Sequence, residues 1–246
     1  MLNILYKVYF WLIAIPFFAV CTVVTATVVI VGCSLGGERF FSYYPGMIWA
    51  RIACAVTFCP VRVKGRENIR KGQSYVFVSN HQGAYDIFLI YGYLGVPIKW
   101  MMKKGLGKIP FVGFACRKAG FIFVDSSTAR AAQKSVIEAG RKLTNGNSLT
   151  VFPEGSRSQD GHLGRFKKGA YQIAVEQTLP IIPITLNGPY KVLPSGSWNI
   201  RPHRIEMTVH RSITPSEKGE SDKETLQELA DSTKKVIHSA LWDEFK

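Results

Sequence analysis

Asn80, His81 and Asp86 follow directly on the apolar segment SYVFVS, residues 74–79. A histidine beside a carboxylate has the makings of a general base. The carboxylate fixes the ring tautomer and stabilises the imidazolium formed when the ring takes a proton. The spacing restricts how the two can meet. Residues five apart do not share a helix face, whereas residues three or four apart do. His81 must therefore sit in a turn ahead of regular helix for Asp86 to reach its ring. The plainer alternative for the same residues is a turn histidine and an early-helix acid favoured by the helix dipole.

A second group is Phe152, Pro153, Glu154, Gly155, Ser156, Arg157 and Ser158. Gly155 lets backbone approach a ligand closely, and Arg157 offers a planar fork suited to phosphate. Glu154 is read as an acceptor for a ligand hydroxyl or as the partner that holds Arg157. The plainer alternative is a strand-exit loop with a local ion pair. Arg165, Lys167 and Lys168 add positive charge shortly downstream. Each taken singly reads as part of a solvated basic face.

Strands and helices must bring these groups together. Residues 74–79 read as a buried strand, and residues 87–94 as an apolar helix. Further strands are expected at 97–102, 121–124, 148–152, 181–186 and 204–209. A helix is expected over 128–143, capped by Ser126 or Ser127 and closed by Gly146, with Ala132, Val136, Ala139 and Leu143 on one face. Another is expected near 168–176. A last one opens on the capping-box pair Ser221 and Glu224 and runs to Trp242. Residues 189–202 carry the weakest pattern. Strands alternating with helices imply an α/β fold, a mixed sheet flanked by helices. Ligand sites in such sheets lie at the carboxyl ends of strands, where both groups fall.

The 246 residues carry 31 Lys+Arg against 17 Asp+Glu, a net charge of +14. Lys7, Glu38, Arg39 and Arg51 are the only charged residues in the first sixty, so nearly all the excess lies beyond them. Such a surface fits an anionic membrane, a phosphate-bearing substrate or an acidic partner. Nucleic acid is the rival explanation of the charge; against it, there is no CxxC zinc pattern, no basic zipper and no Arg-rich tail, and no nucleic-acid partner is expected. Residues 8–35 are uncharged and apolar or small, long enough for a hydrocarbon core of about 30 Å. Pro16 is expected to kink this run. Residues 45–59 are apolar but short, and read as an interfacial segment or the return arm of a helical hairpin. The division expected is a membrane-anchoring segment over 1–60 and a catalytic domain over 61–246. The basic residues after the anchor place that domain on the cytoplasmic face. Cys21, Cys33, Cys54, Cys59 and Cys116 show neither metal-ligand spacing nor a disulfide framework. Gly32 to Gly36 spells a G-x-S-x-G nucleophile elbow, but at the end of a membrane run rather than a strand, so it is set aside.

The two site segments together resemble the glycerolipid acyltransferases, specifically the 1-acyl-sn-glycerol-3-phosphate acyltransferases. Asn80, His81 and Asp86 meet the family block N-H-x-x-x-x-D, and Phe152 through Ser158 meet F-P-E-G-[ST]-R-S. Lys103, Leu106, Pro110, Gly113 and Gly120 follow the intervening pattern. Phe166, Lys167, Lys168 and Gly169, then residues 179–184, match later features. The likeness covers roughly residues 60–190. It implies a glycerol-3-phosphate acyltransferase-like fold with an N-terminal membrane anchor. The reaction implied is transfer of a fatty acyl group from acyl-CoA or acyl-acyl carrier protein to the sn-2 hydroxyl of lysophosphatidic acid, giving phosphatidic acid. No bound cofactor and no metal are implied. Membrane phospholipids are the expected surroundings. By resemblance His81 is the base, Asp86 its orienting partner, and Glu154, Gly155, Ser156 and Arg157 the acceptor site. Lys103 and loop amides serve the oxyanion. The family's second block usually ends in an arginine. Here Ser126 follows Asp125, which leaves another lysolipid acceptor, such as a lyso-aminolipid, open. A lipid or thioester hydrolase and a non-catalytic lipid-binding protein are the readings from other classes.

Overall fold

The computed structural model describes residues 2–125, 127–128, 131, 135, 140, 143, 147–215 and 223–246. Strands β1 (Val61–Lys64), β2 (Val76–Ser79), β3 (Ile98–Lys103), β4 (Ile122–Val124), β5 (Ser148–Val151), β6 (Ile181–Asn187) and β7 (Ile205–Val209) form one sheet in the order β1-β7-β6-β2-β5-β3-β4. β2 is parallel to both neighbours, β5 and β6. β3 runs parallel to β5 and β4. β7 turns antiparallel against β6, and β1 is parallel to β7. The sheet is mixed, as the alternating pattern implied. β2 sits at its centre with all four residues buried, which suits an uninterrupted apolar run covered on both faces.

The parallel direction of β2, β3, β5 and β6 brings their carboxyl ends to one edge. His81, Lys103 and Glu154 therefore emerge on the same side of the molecule. Asn80 locks that edge. Its Nδ2 donates to the Leu186 carbonyl at 2.9 Å, and its Oδ1 accepts from the Leu186 N–H at 2.8 Å. The side-chain amide thus supplies a ladder-like pair where regular pairing ends, satisfying buried backbone that would otherwise be orphaned.

Helices α1 (Leu2–Tyr9), α2 (Ile15–Ser34), α3 (Glu38–Phe41), α4 (Tyr44–Val56), α5 (Tyr85–Tyr93) and α6 (Val112–Lys118) include those of one face. Their buried residues, such as Ala50, Cys54, Leu89 and Ala115, share a core with Phe77, Ile184 and Met207 of the sheet. α7 (Gly169–Glu176) and α9 (Lys223–Ser239) supply Tyr171, Ile173, Leu226 and Ile237 to a second core with Val76, Val78 and Leu149. α8 (Pro189–Val192) is a short turn of helix after β6, so the stretch expected to be least regular does hold one element.

The apolar N-terminal run is one rod over Ile4–Ser34. Ahead of Pro16, where a kink is expected, lies a π-helical turn over Phe10–Ala14, with Pro16 in the first turn of α2. Proline has no N–H to give, and the wider turn re-routes the bonding: Ile15 N–H reaches back to the Phe10 carbonyl. The rod then pairs antiparallel with α4. Tyr9 Oη donates to the Val56 carbonyl at 3.0 Å, and Trp49 Nε1 to Thr22 Oγ1 at 2.9 Å. The opposite stripe, including Val20, Val23, Val24, Val28 and Val31, stays exposed at helical spacing. Residues 45–59 are thus the return arm of a hairpin.

The last helix ends at Ser239, three residues short of the expected Trp242. Asn187 at the end of β6 explains the stop. Its Nδ2 donates to the Ala240 carbonyl and its Oδ1 accepts from the Trp242 N–H, both at 2.9 Å. The caps proposed at Ser126, Gly146 and Ser221, with Ala132, Val136 and Ala139 of the 128–143 helix, lie outside the described residues.

Candidate active site

His81 lies in the turn between β2 and α5, before regular helix begins, as the spacing required. Asp86 is the second residue of α5 and fully buried. The turn folds the two together: His81 Nδ1 and Asp86 Oδ2 are 2.6 Å apart. The Gly83 N–H donates to the same oxygen at 2.8 Å. Burial pushes the Asp86 carboxyl above its ordinary range. The hydrogen bond and charge of His81 and the N–H groups of Gly83 and Gln82 oppose that shift. A carboxylate accepting at Nδ1 leaves Nε2 as the basic nitrogen. Among the described residues Nε2 has no partner, so it is free to take a proton. Gly83 lets the turn pack close against α8: a Cβ there would come within 2.7 Å of the Pro189 and Leu193 carbonyl oxygens.

A feature not foreseen from the sequence holds the imidazole plane. Phe152 stacks on it with centroids 3.9 Å apart and planes 8° from parallel, and Trp100 of β3 stacks behind Phe152 at 5.6 Å. The signal was present in Phe152 itself, immediately after β5, but its partner only becomes visible once β2 and β5 are paired.

Glu154 is held by backbone amides. Its Oε1 accepts from the His81 N–H at 2.9 Å and its Oε2 from the Gly164 N–H at 2.8 Å. Burial raises its carboxyl above the ordinary value, while the Gly164 and His81 amides pull it down. The expected pairing with Arg157 does not form: both oxygens are engaged by backbone, which leaves Arg157 exposed and without an ion pair among the described residues. The Ser158 N–H also donates to the His81 carbonyl at 2.8 Å. Two hydrogen bonds at the His81 backbone, one to the Glu154 carboxylate and one from the Ser158 N–H, thus clamp the histidine turn to the Phe152–Ser158 loop. Gly155, at φ +76°, makes the sharp bend that loop needs.

The loop opens into a cleft of about 420 Å³ lined by Glu154, Ser156, Arg157, Arg165 and Lys167 among others. Arg157, Arg165 and Lys167 therefore gather around one space, as a phosphate site requires. Lys168 does not join them; its Nζ donates to the Lys223 carbonyl at 2.6 Å. Lys103 ends β3 on the same edge but two strands from β2, exposed and outside the cleft lining. Among the described residues no group of three or more His, Cys, Asp or Glu is arranged to hold a metal ion. The G-x-S-x-G copy closes a helix with Gly32 packed under the Phe41 ring, away from any strand.

Residues 60–187 match the acyltransferase family. The chain is 32% identical over 227 residues to the chloroplastic 1-acyl-sn-glycerol-3-phosphate acyltransferase LPAT1 of Arabidopsis thaliana, covering 88% of this chain and 63% of that protein. It is 33% identical over 197 residues to the chloroplastic enzyme BAT2 of Brassica napus, covering 79% and 57%. The chain thus spans less than two thirds of the length of these curated relatives. The crystal structure of the 1-acyl-sn-glycerophosphate (LPA) acyltransferase PlsC from Thermotoga maritima matches with a TM-score of 0.78 at 31% identity, over 98% of both chains. With the family pattern spanning its sheet and site, and a solved member matching it end to end, this chain belongs to the acyltransferase family, among relatives named as 1-acyl-sn-glycerol-3-phosphate acyltransferases.

Proposed function

We propose that this chain transfers a fatty acyl group from an acyl thioester to the sn-2 hydroxyl of 1-acyl-glycerol-3-phosphate, forming phosphatidic acid. The observation that carries the reading is the buried His81–Asp86 pair beside a cation-lined cleft. His81 Nε2 takes the hydroxyl proton as the oxygen attacks the thioester carbonyl. Asp86 holds the imidazolium that results. The C–S bond breaks as the C–O ester bond forms, and the proton passes to the departing thiolate. Arg157, with Arg165 and Lys167 nearby, receives the acceptor phosphate. Lys103 and the loop amides are assigned to the oxyanion. The acyl donor is the thioester of coenzyme A or acyl carrier protein, whose thiol is released, and no bound cofactor takes part.

Residues 1–60 act as the anchor and 61–246 as the catalytic domain. The rod is fastened along one side to α4, so it meets lipid with its exposed stripe and lies in the near leaflet rather than crossing alone. The catalytic edge then faces the cytoplasm, against the surface where lysolipid and acyl chain reside.

Purified full-length protein, given labelled acyl thioester and a panel of lysophosphatidate and lyso-aminolipids, tests the acceptor. Transfer to lysophosphatidate in preference to the others is expected. Preference for a lyso-aminolipid would overturn the phosphate assignment and point instead to Ser126. Arg157→Ala is expected to raise KM for lysophosphatidate by about tenfold or more, the weight of a charge-assisted hydrogen-bond pair, with a smaller change in kcat. Steady-state kinetics at saturating donor reads this, and an unchanged KM would remove Arg157 from the phosphate site.

A further inference from the structure

We infer that the segment from Lys104 to Lys118 is a second membrane-docking element, which binds the surface of an anionic phospholipid bilayer beside the active cleft. This rests on the reading of the N-terminal rod as a lipid-facing surface.

Leu106, Ile109, Phe111 and Phe114 are each at least 44% exposed. Four large apolar side chains on one short connection form a patch of a kind that marks an interaction surface. The segment carries Lys104, Lys108, Arg117 and Lys118 and no acid; Lys104 is paired with Asp125 at 2.8 Å, so Lys108, Arg117 and Lys118 carry the excess charge. Apolar tips inside a ring of cations match a bilayer with anionic headgroups: the tips enter the acyl boundary while the cations meet phosphate.

The patch is built, not loose. Arg117 Nη1 donates to the Gly107 carbonyl at 2.6 Å and ties the start of the segment to its end. The Arg117 and Lys118 cations lie 5.8 Å and 5.7 Å from the Phe114 ring centre. Phe111 takes φ +58°, a backbone conformation that a bulky residue rarely adopts, and its ring is 61% exposed. The strained backbone thus presents a phenyl ring outward, where water gives it nothing in return.

Position favours lipid over an acidic protein partner. α6 packs against α2, the helix that carries the exposed apolar stripe of the rod. The segment also leaves the carboxyl end of β3, the edge that carries His81. A bilayer touching both surfaces would bring membrane-resident acceptor to the mouth of the cleft.

Two variants of the full-length protein test this: Ile109→Ser/Phe111→Gly removes the apolar tips, and Lys108→Glu/Lys118→Glu reverses the ring charge. Binding is measured by flotation with vesicles of phosphatidylcholine, with and without phosphatidylglycerol. Hydrogen exchange of the 104–118 amides is followed in parallel. Both variants are expected to lose at least about tenfold in affinity for the anionic vesicles, given the apolar area removed. Each should keep its activity on detergent-dispersed lysolipid. In the wild type, the 104–118 amides are expected to gain protection on anionic vesicles. Wild-type affinity in both variants, or no protection, would overturn the inference. A defect confined to the rate with acyl-acyl carrier protein would overturn it too, assigning the patch to an acidic carrier. Failure of the wild type to bind any vesicle would instead overturn the membrane reading of the rod.

Discussion

His81→Ala is expected to lower acyl transfer by about 10²–10⁴-fold, the usual contribution of a positioned general base, while leaving the fold and vesicle binding intact. The reason lies in the geometry of the turn. Nε2 of His81 has no partner among the described residues, and the ring is held in plane by Phe152 and in tautomer by Asp86. Removing the ring takes away the proton acceptor but leaves the phosphate cations and the loop in place. The loss should therefore appear in kcat, with KM for lysophosphatidate little changed. Circular dichroism and vesicle flotation on the same preparation separate this from misfolding. Near-normal turnover in a folded variant would remove His81 from the reaction.

Glu154→Ala is expected to lower kcat by about 10–100-fold, because misplacing a catalytic group by about 1 Å costs on the order of 10² in rate. The carboxylate accepts from the His81 and Gly164 backbone amides, so alanine leaves two amides without their acceptor. Each costs about 1–3 kcal/mol if it stays buried and unsatisfied. The melting temperature should therefore fall as well. Glu154→Gln keeps an acceptor oxygen for one of the two amides and should sit between alanine and wild type on both readouts. A residue that held the acceptor directly would instead raise KM at constant stability. Paired kinetics and thermal melts on the two variants discriminate these outcomes.

Much of the sheet could be read from its residues because most strands are short, largely apolar and closed by a turn, whereas β1, with Arg62 and Lys64 alternating with valine, was not foreseen. Residues 74–79 and 148–152 announced β2 and β5 almost to the residue, and the family blocks beside them pointed to the two loops proposed to carry the chemistry. The His81 turn could also be placed, because a spacing of five forbids a shared helix face. What stayed hidden depends on neighbours across the sheet. Phe152 reads as an ordinary apolar residue until β2 and β5 pair and set its ring under the imidazole. Glu154 reads as a ligand group, and only the folded loop shows its oxygens taken by backbone. Asn187 likewise ends the last helix from a strand about fifty residues away. The apolar run of residues 8–35 gave a length sufficient to cross a bilayer. It could not show that Tyr9 and Thr22 fasten that run to α4.

The measurement closest to the central claim follows the fate of the acyl group. Purified protein is incubated with labelled acyl thioester and lysophosphatidate in mixed micelles, and the labelled products are separated. Labelled phosphatidate with the acyl group at the sn-2 oxygen, formed in step with free thiol and lost in His81→Ala, is the expected result. Labelled free fatty acid without phosphatidate would contradict it, since water rather than the acceptor hydroxyl would then be what His81 deprotonates.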